Sequence, residues 1–130
     1  MKTIKFHTDL EQSKVLSKIL PNKSADMHYS LDIDFMKHES VPTVTEEDDH
    51  FELFQSDIPC WSLAALLSIL HNKTKDIPSL SGGGYKVGKY TSDWCLDYEF
   101  ENGDYQRTFA DNPVDACYDM IIKLNELNLL

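Results

Sequence analysis

The sequence predicts an α+β fold in which about three helices cover one face of a small antiparallel sheet. Two observations indicate this class. Three separated segments combine apolar residues at helical spacing with capping residues. Between the last two of them, alternating apolar and polar residues flank Asn102-Gly103, which favours a tight β-hairpin. The length of 130 residues is typical of one domain, so we expect 1–130 to form a single domain.

The first helix is expected at residues 9–20. Thr8 and Glu11 have the spacing of a capping box, and Phe6 lies where it could pack on the first turn. Pro21 should end the helix because proline lacks the backbone N–H that a helix needs. The expected apolar stripe consists of Leu10, Val15, Leu16, Ile19 and Leu20.

A strand and a long acidic loop should follow. Strict alternation over residues 27–35 predicts a half-buried strand. Residues 37–50 lose this periodicity, and we expect a loop of the long kind that is often functional or mobile. Its most acidic part consists of Glu46, Glu47, Asp48 and Asp49.

A second helix should begin after Ser62, which is a favourable N-cap residue. Trp61 before it and Leu66 within it have the spacing of a hydrophobic staple. Because nearly all of its side chains are apolar, this helix should lie in the core. Pro78 and the glycines at 82–84 then indicate a flexible connection.

The hairpin is expected to comprise 94–101 and 104–109, preceded by a weaker strand at 85–90. A two-residue turn would pair Tyr98 with Arg107. This register predicts one buried face, which also carries Arg107 and consists of Trp94, Leu96, Tyr98, Phe100, Tyr105 and Phe109.

The last helix should begin at Pro113, with Asn112 as its N-cap, and should run to about residue 127. Its expected core stripe consists of Val114, Cys117, Ile121 and Leu124.

The charge balance argues against nucleic acid and anionic membranes as direct partners. The chain has 22 acidic residues against 12 basic ones, which gives a net charge of −10. Nucleic-acid binding depends on cations that displace counterions from phosphates, and Arg107 is the single arginine. Residues 26–60 carry ten acids against one lysine, so we expect an acidic surface that suits a basic protein partner.

Cysteine usage predicts a cytoplasmic protein. Cys60, Cys95 and Cys117 are odd in number, far apart and set among apolar neighbours, so buried free thiols are expected. Free thiols indicate a reducing compartment. The N-terminus has no long apolar run of the signal-peptide kind, and the longest apolar stretch, near residues 63–70, is too short to cross a bilayer.

Four strings in the chain resemble a family of small uncharacterised proteins from gut bacteria of the Bacteroides kind, often encoded in prophage-like or other mobile regions. The resemblance spans most of the chain in the same order. It supplies no catalytic residue or known ligand, and implies a bacterial accessory protein. The strings are Glu11-Gln12-Ser13, Ser24-Ala25-Asp26-Met27, Ile58-Pro59-Cys60-Trp61-Ser62-Leu63 and Asn112-Pro113-Val114-Asp115-Ala116.

Three segments offer chemistry, and each has a structural interpretation that we favour. The acids at 46–49 could bind calcium but lack the spaced pattern of a calcium loop. Residues 81–86 resemble a phosphate loop but precede a strand instead of a helix. Cys60 could be a reactive thiol, although no histidine is identified as its base. The sequence therefore predicts no cofactor, no metal site and no catalytic residue.

We expect a non-enzymatic binding or regulatory module that contacts another protein through the acids at 46–49. One variant is a nucleic-acid mimic that occupies a basic DNA-binding protein. The alternative is a small enzyme or small-ligand binder with a pocket near Cys60, Trp61, Trp94 and Arg107.

Overall fold

The computed structural model describes residues 5–32, 37–45, 57–72, 78–87, 90–99 and 104–130. The helices in this part of the chain are α1 Leu10–Leu16, α2 Leu63–His71 and α3 Pro113–Glu126, with a 3-10 turn at Asn22–Ser24. The strands are β1 Met27–Tyr29, β2 Leu31–Asp32, β3 Lys37–His38, β4 Thr43–Val44, β5 Ile58–Cys60, β6 Ser79–Val87, β7 Tyr90–Glu99 and β8 Tyr105–Ala110. Helices and small antiparallel sheets confirm the predicted α+β class.

The chain divides into two compact units. We call His7–Ala65 the N-terminal unit, and Met1–Phe6 with Leu66–Leu130 the C-terminal unit.

Helix α1 confirms the first predicted helix, but its cap lies one residue later than expected and it ends at Leu16, before Pro21. Val15, which was expected in the apolar stripe, is 42% exposed. Asp9 accepts a hydrogen bond from the Gln12 backbone N–H at 2.8 Å, and the Gln12 side chain accepts one from the Asp9 backbone N–H at 3.1 Å. Thr8 is instead completely buried. Phe6 is 69% exposed, so it does not form the expected packing on the first turn.

The N-terminal unit contains a three-stranded sheet in the order β4-β1-β5 and a separate β2-β3 pair. The predicted strand at 27–35 therefore comprises two short strands, and residues 33–36 lie outside the described part. Strands β3 and β4 lie in the segment that was expected to be a loop. Strand β5 contains Pro59, which no alternation in the sequence identified.

The C-terminal unit contains the antiparallel sheet β6-β7-β8. Strand β6 includes the three glycines, so the prediction of a flexible connection at 82–84 is wrong. The β6–β7 register shifts between Gly82 and Tyr85, which is a β-bulge. Gly83 has a φ of 145°, a conformation that residues with a Cβ rarely adopt.

The β7–β8 pair confirms the predicted hairpin strands but not their register. Asp97 lies opposite Arg107 and Leu96 lies opposite Thr108, which is one residue away from the expected pairing. The last described pair is Glu99 with Tyr105, and the residues that were expected to form the turn and set the register lie outside the described part of the chain.

This register exchanges the two faces of β8, because successive side chains point to opposite sides of a sheet. Thr108 is buried. Tyr105 was expected on the buried face but is 62% exposed, so it lies outside the core. Arg107 is exposed as well, so its place on the buried face is also wrong. Leu96 and Tyr98 are buried as predicted.

Helix α3 confirms the last predicted helix and covers the inner face of β7 and β8. Asn112 accepts a hydrogen bond from the Asp115 backbone N–H at 2.8 Å, and Pro113 is the first helical residue. The Thr108 hydroxyl donates to the Ala116 carbonyl at 2.8 Å, which explains why Thr108 faces the helix. The predicted stripe is fully buried and consists of Val114, Cys117, Ile121 and Leu124.

Candidate functional site

The residues predicted to form sites fall into two groups, those outside the described residues and those divided between the two units. The acids Glu46, Glu47, Asp48 and Asp49 lie outside the described residues. Of the four residues proposed to line a pocket, Cys60 and Trp61 belong to the N-terminal unit, and Trp94 and Arg107 belong to the C-terminal unit.

Thr8 organises a buried polar cluster in the N-terminal unit. Its carbonyl oxygen accepts hydrogen bonds from His7 Nδ1 at 2.9 Å, from the Tyr29 hydroxyl at 2.9 Å and from Cys60 Sγ at 3.3 Å. Its hydroxyl lies 2.8 Å from the Ser13 hydroxyl and accepts from the Trp61 backbone N–H at 3.2 Å. One residue thus connects the start of α1 to β1 and to the end of β5.

This cluster keeps Cys60 in its thiol form. The Cys60 side chain is completely buried, and its S–H group donates a hydrogen bond to the Thr8 carbonyl. Burial raises the pKa of Cys60, and hydrogen bonds with Thr8, Ser13 and Tyr29 offset only part of that increase. Because the thiolate is the nucleophile, the arrangement favours a structural role over a catalytic one.

Trp61 and Asp26 fix the start of α2. The Trp61 ring is completely buried, and its Nε1 donates to the Ser24 hydroxyl at 3.0 Å. Asp26 accepts from the Ser62 backbone N–H at 2.9 Å and from the Ser62 hydroxyl. The Ser62 hydroxyl accepts from the Ala65 backbone N–H at 3.2 Å, which confirms Ser62 as the N-cap.

Trp94 and Arg107 lie on opposite faces of the C-terminal sheet, because Trp94 and the Arg107 partner Asp97 are three residues apart along β7. Trp94 is half-buried on the inner face, where its ring covers Gly82 of the neighbouring strand. This sheet therefore does not direct both side chains into one pocket.

Arg107 is held on the outer face by two neighbours. It forms an ion pair with Asp97, its cross-strand partner, and its guanidinium lies 5.9 Å from the centre of the Tyr105 ring. The expected stacking was on Tyr98 or Trp94, and the change of register explains the difference. The hydrogen bond and charge of Asp97 raise the pKa of Arg107.

We define the outer face by the side chains that point away from α3. Tyr105 and Arg107 are exposed and Phe109 is half-buried, so one row on β8 presents two aromatic rings beside a fixed cation. Tyrosine and arginine are enriched among the residues that dominate binding energy in protein interfaces. The outer face consists of Ser79, Ser81, Asp93, Cys95, Asp97, Glu99, Tyr105, Arg107 and Phe109.

Sequence reasoning missed the roles of Thr8 and Tyr105. The buried contacts of Thr8 join residues far apart in the chain, and no local spacing encodes them. The exposed position of Tyr105 depends on the β7–β8 register, which the chain pattern alone did not fix.

Comparison of the chain with protein-family models, with curated proteins and with solved structures found no match. Within the described ranges, none of the helices is long and apolar enough to cross a membrane.

Proposed function

We propose that the protein is a non-enzymatic binding module that contacts another protein with a basic surface. The observation that carries this proposal is the outer face of the C-terminal sheet, which presents Tyr105 and Arg107 to solvent. An aromatic ring and an ion-paired arginine provide contact area that is already ordered before binding. The net charge of −10 favours a partner of opposite sign.

The buried groups support binding rather than chemistry. Cys60 and Tyr29 both donate hydrogen bonds to the Thr8 carbonyl. Both groups are therefore engaged in contacts within the N-terminal unit. Burial raises the pKa of Cys117 to about 12, which keeps this thiol protonated at neutral pH. These groups hold the fold together in the described part of the chain.

The proposal includes the setting in which the module works. Cys60, Cys95 and Cys117 are free and buried, which favours a reducing compartment such as the cytoplasm. The family resemblance favours a bacterial accessory protein carried by a mobile element. A basic DNA-binding protein is the partner that suits such an origin, and the acidic chain would then act as a nucleic-acid mimic.

The test is affinity capture from nuclease-treated lysate of the natural host, with the tagged chain compared against an unrelated acidic protein of similar size and charge. One protein enriched over this control is the expected result. Tyr105→Ser should abolish the enrichment, whereas Val15→Ser on α1, which also replaces an exposed apolar residue, should preserve it. Equal recovery on the acidic control would contradict the proposal.

The dependence of affinity on salt concentration distinguishes a nucleic-acid mimic from an interface that is not dominated by charge. Screening shortens the reach of exposed charges from about 10 Å at 0.1 M salt to about 3 Å at 1 M. The affinity of a mimic for its basic partner should therefore fall steeply as salt rises. An affinity that is unchanged across this range would exclude the mimic and leave an interface held by Tyr105 and its neighbours.

A further inference from the structure

The charged side chains at one end of the outer face do not balance. Arg107 forms an ion pair with Asp97, its cross-strand partner. Glu99 lies two residues further along β7, which places it on the same face, and it is exposed. Its carboxylate makes no ion pair or hydrogen bond within the described part of the chain. These three residues carry two negative charges against one positive charge, so one further cation would balance them.

An aromatic ring lies directly beside this carboxylate. Glu99 and Tyr105 are opposite each other in the β7–β8 register. Side chains in directly opposite positions of an antiparallel pair have Cβ atoms about 4.5–5.5 Å apart. Tyr105 is 62% exposed even though the Arg107 guanidinium lies 5.9 Å from the centre of its ring. The ring therefore already lies beside one cation and keeps most of its surface accessible to a second.

The chemistry of this pair favours arginine over other occupants. A guanidinium stacks flat on an aromatic ring and donates two parallel hydrogen bonds to a carboxylate, whereas the ammonium group of lysine acts as a point charge. An anion such as a phosphate is a poorer occupant, because Asp97 already engages Arg107 and Glu99 would repel it.

We propose that Glu99 and Tyr105 together bind one arginine side chain of the partner protein. The Glu99 carboxylate accepts hydrogen bonds from the guanidinium, and the Tyr105 ring stacks on its plane. The Asp97–Arg107 ion pair supports this arrangement, because it leaves Glu99 as the carboxylate that is available to the incoming cation. This inference rests on the proposed function and identifies the group on the partner that the outer face recognises.

The test uses a capped Gly-Arg-Gly peptide as the probe and follows the backbone amide NMR shifts of the full chain during titration. The matched control replaces arginine with citrulline, which has nearly the same shape but no charge. We expect saturable shifts centred on Glu99 and Tyr105, with the citrulline peptide binding at least about threefold more weakly. A Gly-Lys-Gly peptide should also bind more weakly than the arginine peptide, because lysine lacks the planar fork.

Four variants separate the charge from the ring. Glu99→Gln keeps the shape of the side chain, and it should weaken binding of the arginine peptide by at least about threefold. Tyr105→Ser should weaken it similarly, whereas Tyr105→Phe keeps the ring and should change it by less than about 1.5-fold. Glu39→Gln removes the same charge from an exposed residue of the N-terminal unit and should also change it by less than about 1.5-fold. Circular dichroism establishes that all four variants are folded.

The outcomes separate this inference from the proposed function. Equal weakening by Glu99→Gln and Glu39→Gln, or equal binding of the arginine and citrulline peptides, would overturn the arginine site. Stronger binding of a Gly-phosphoserine-Gly peptide, with shifts centred on Arg107, would overturn it in favour of an anion. If the arginine peptide fails to bind while Tyr105-dependent capture of a partner persists, the inference fails and the proposed function stands. If capture also fails, both are wrong.

Discussion

The two units of the molecule are stabilised by different kinds of interior. The N-terminal unit has a polar centre in which Thr8 forms hydrogen bonds with side chains of α1, β1 and β5 and with the backbone of Trp61, which follows β5. The C-terminal unit has an apolar interior, where a stripe on α3 covers Leu96 and Tyr98. Among the described residues of this unit, Thr108 buries a hydroxyl that donates to the Ala116 carbonyl, and Tyr98 also buries its hydroxyl.

This difference indicates that the two units depend on different interactions to adopt one structure. Apolar burial scales with area and tolerates exchanges of similar volume, so the α3 interface depends on filling space. A buried hydrogen bond contributes little net stability, but the loss of one partner leaves the other unsatisfied at a considerable cost. The Thr8 cluster therefore fixes which segments meet, because few other arrangements would satisfy the same donors.

The largest effect is expected where the interior is apolar. Leu124→Ala, at a fully buried position of α3, should lower the free energy of unfolding by about 2–5 kcal/mol because it leaves a cavity. Leu127→Ala is the matched control, since Leu127 is 47% exposed, and it should cost below about 0.5 kcal/mol. Urea unfolding followed by circular dichroism measures both. Similar costs for the two variants would show that α3 is not packed as described.

A smaller loss is expected from the polar centre. Thr8→Val keeps the shape of the side chain but leaves the Trp61 backbone N–H without its acceptor, which should cost about 1–3 kcal/mol. Ser13→Ala keeps that acceptor, so it should cost less. The same urea titrations compare the two variants. A Thr8→Val protein as stable as the wild type would remove the distinction between the two interiors.

The smallest effect concerns the buried thiols at alkaline pH. Burial raises the pKa of Cys117 from its ordinary value of 9.0 to about 12. The folded state therefore keeps a proton that the unfolded state loses, and the resulting stability is present below pH 9 and is lost as the pH rises toward 12. Between about pH 8 and about pH 10 this group should contribute a loss on the order of 1 kcal/mol.

Cys117→Ala should remove that part of the alkaline loss. Cys60→Ala should change the slope less, because hydrogen bonds with Thr8, Ser13 and Tyr29 partly offset the effect of burial on the Cys60 pKa. Urea titrations at the two pH values measure the slopes. Parallel slopes for the wild type and Cys117→Ala would contradict the assigned direction of the pKa shift.

Local sequence patterns predicted the elements better than the contacts between them. The Asn112 cap with Pro113 identified the start of α3, and Ser62 identified the start of α2, because capping depends on neighbouring residues alone. At α1 the same reasoning selected Thr8, whereas Asp9 is the cap. Both residues are good N-caps, and only the burial of Thr8 against β1 and β5 distinguishes them.

The sequence by itself determined the α+β class, the three helices and the two strands of the hairpin, because periodicity and capping act over a few residues. The tertiary structure decided the β7–β8 register and, with it, the face on which Tyr105 and Arg107 lie. A one-residue shift leaves the alternation of β8 intact but exchanges its faces. The Asp97–Arg107 ion pair and the Thr108 bond to α3 are both satisfied in the observed register, and both depend on residues outside β8.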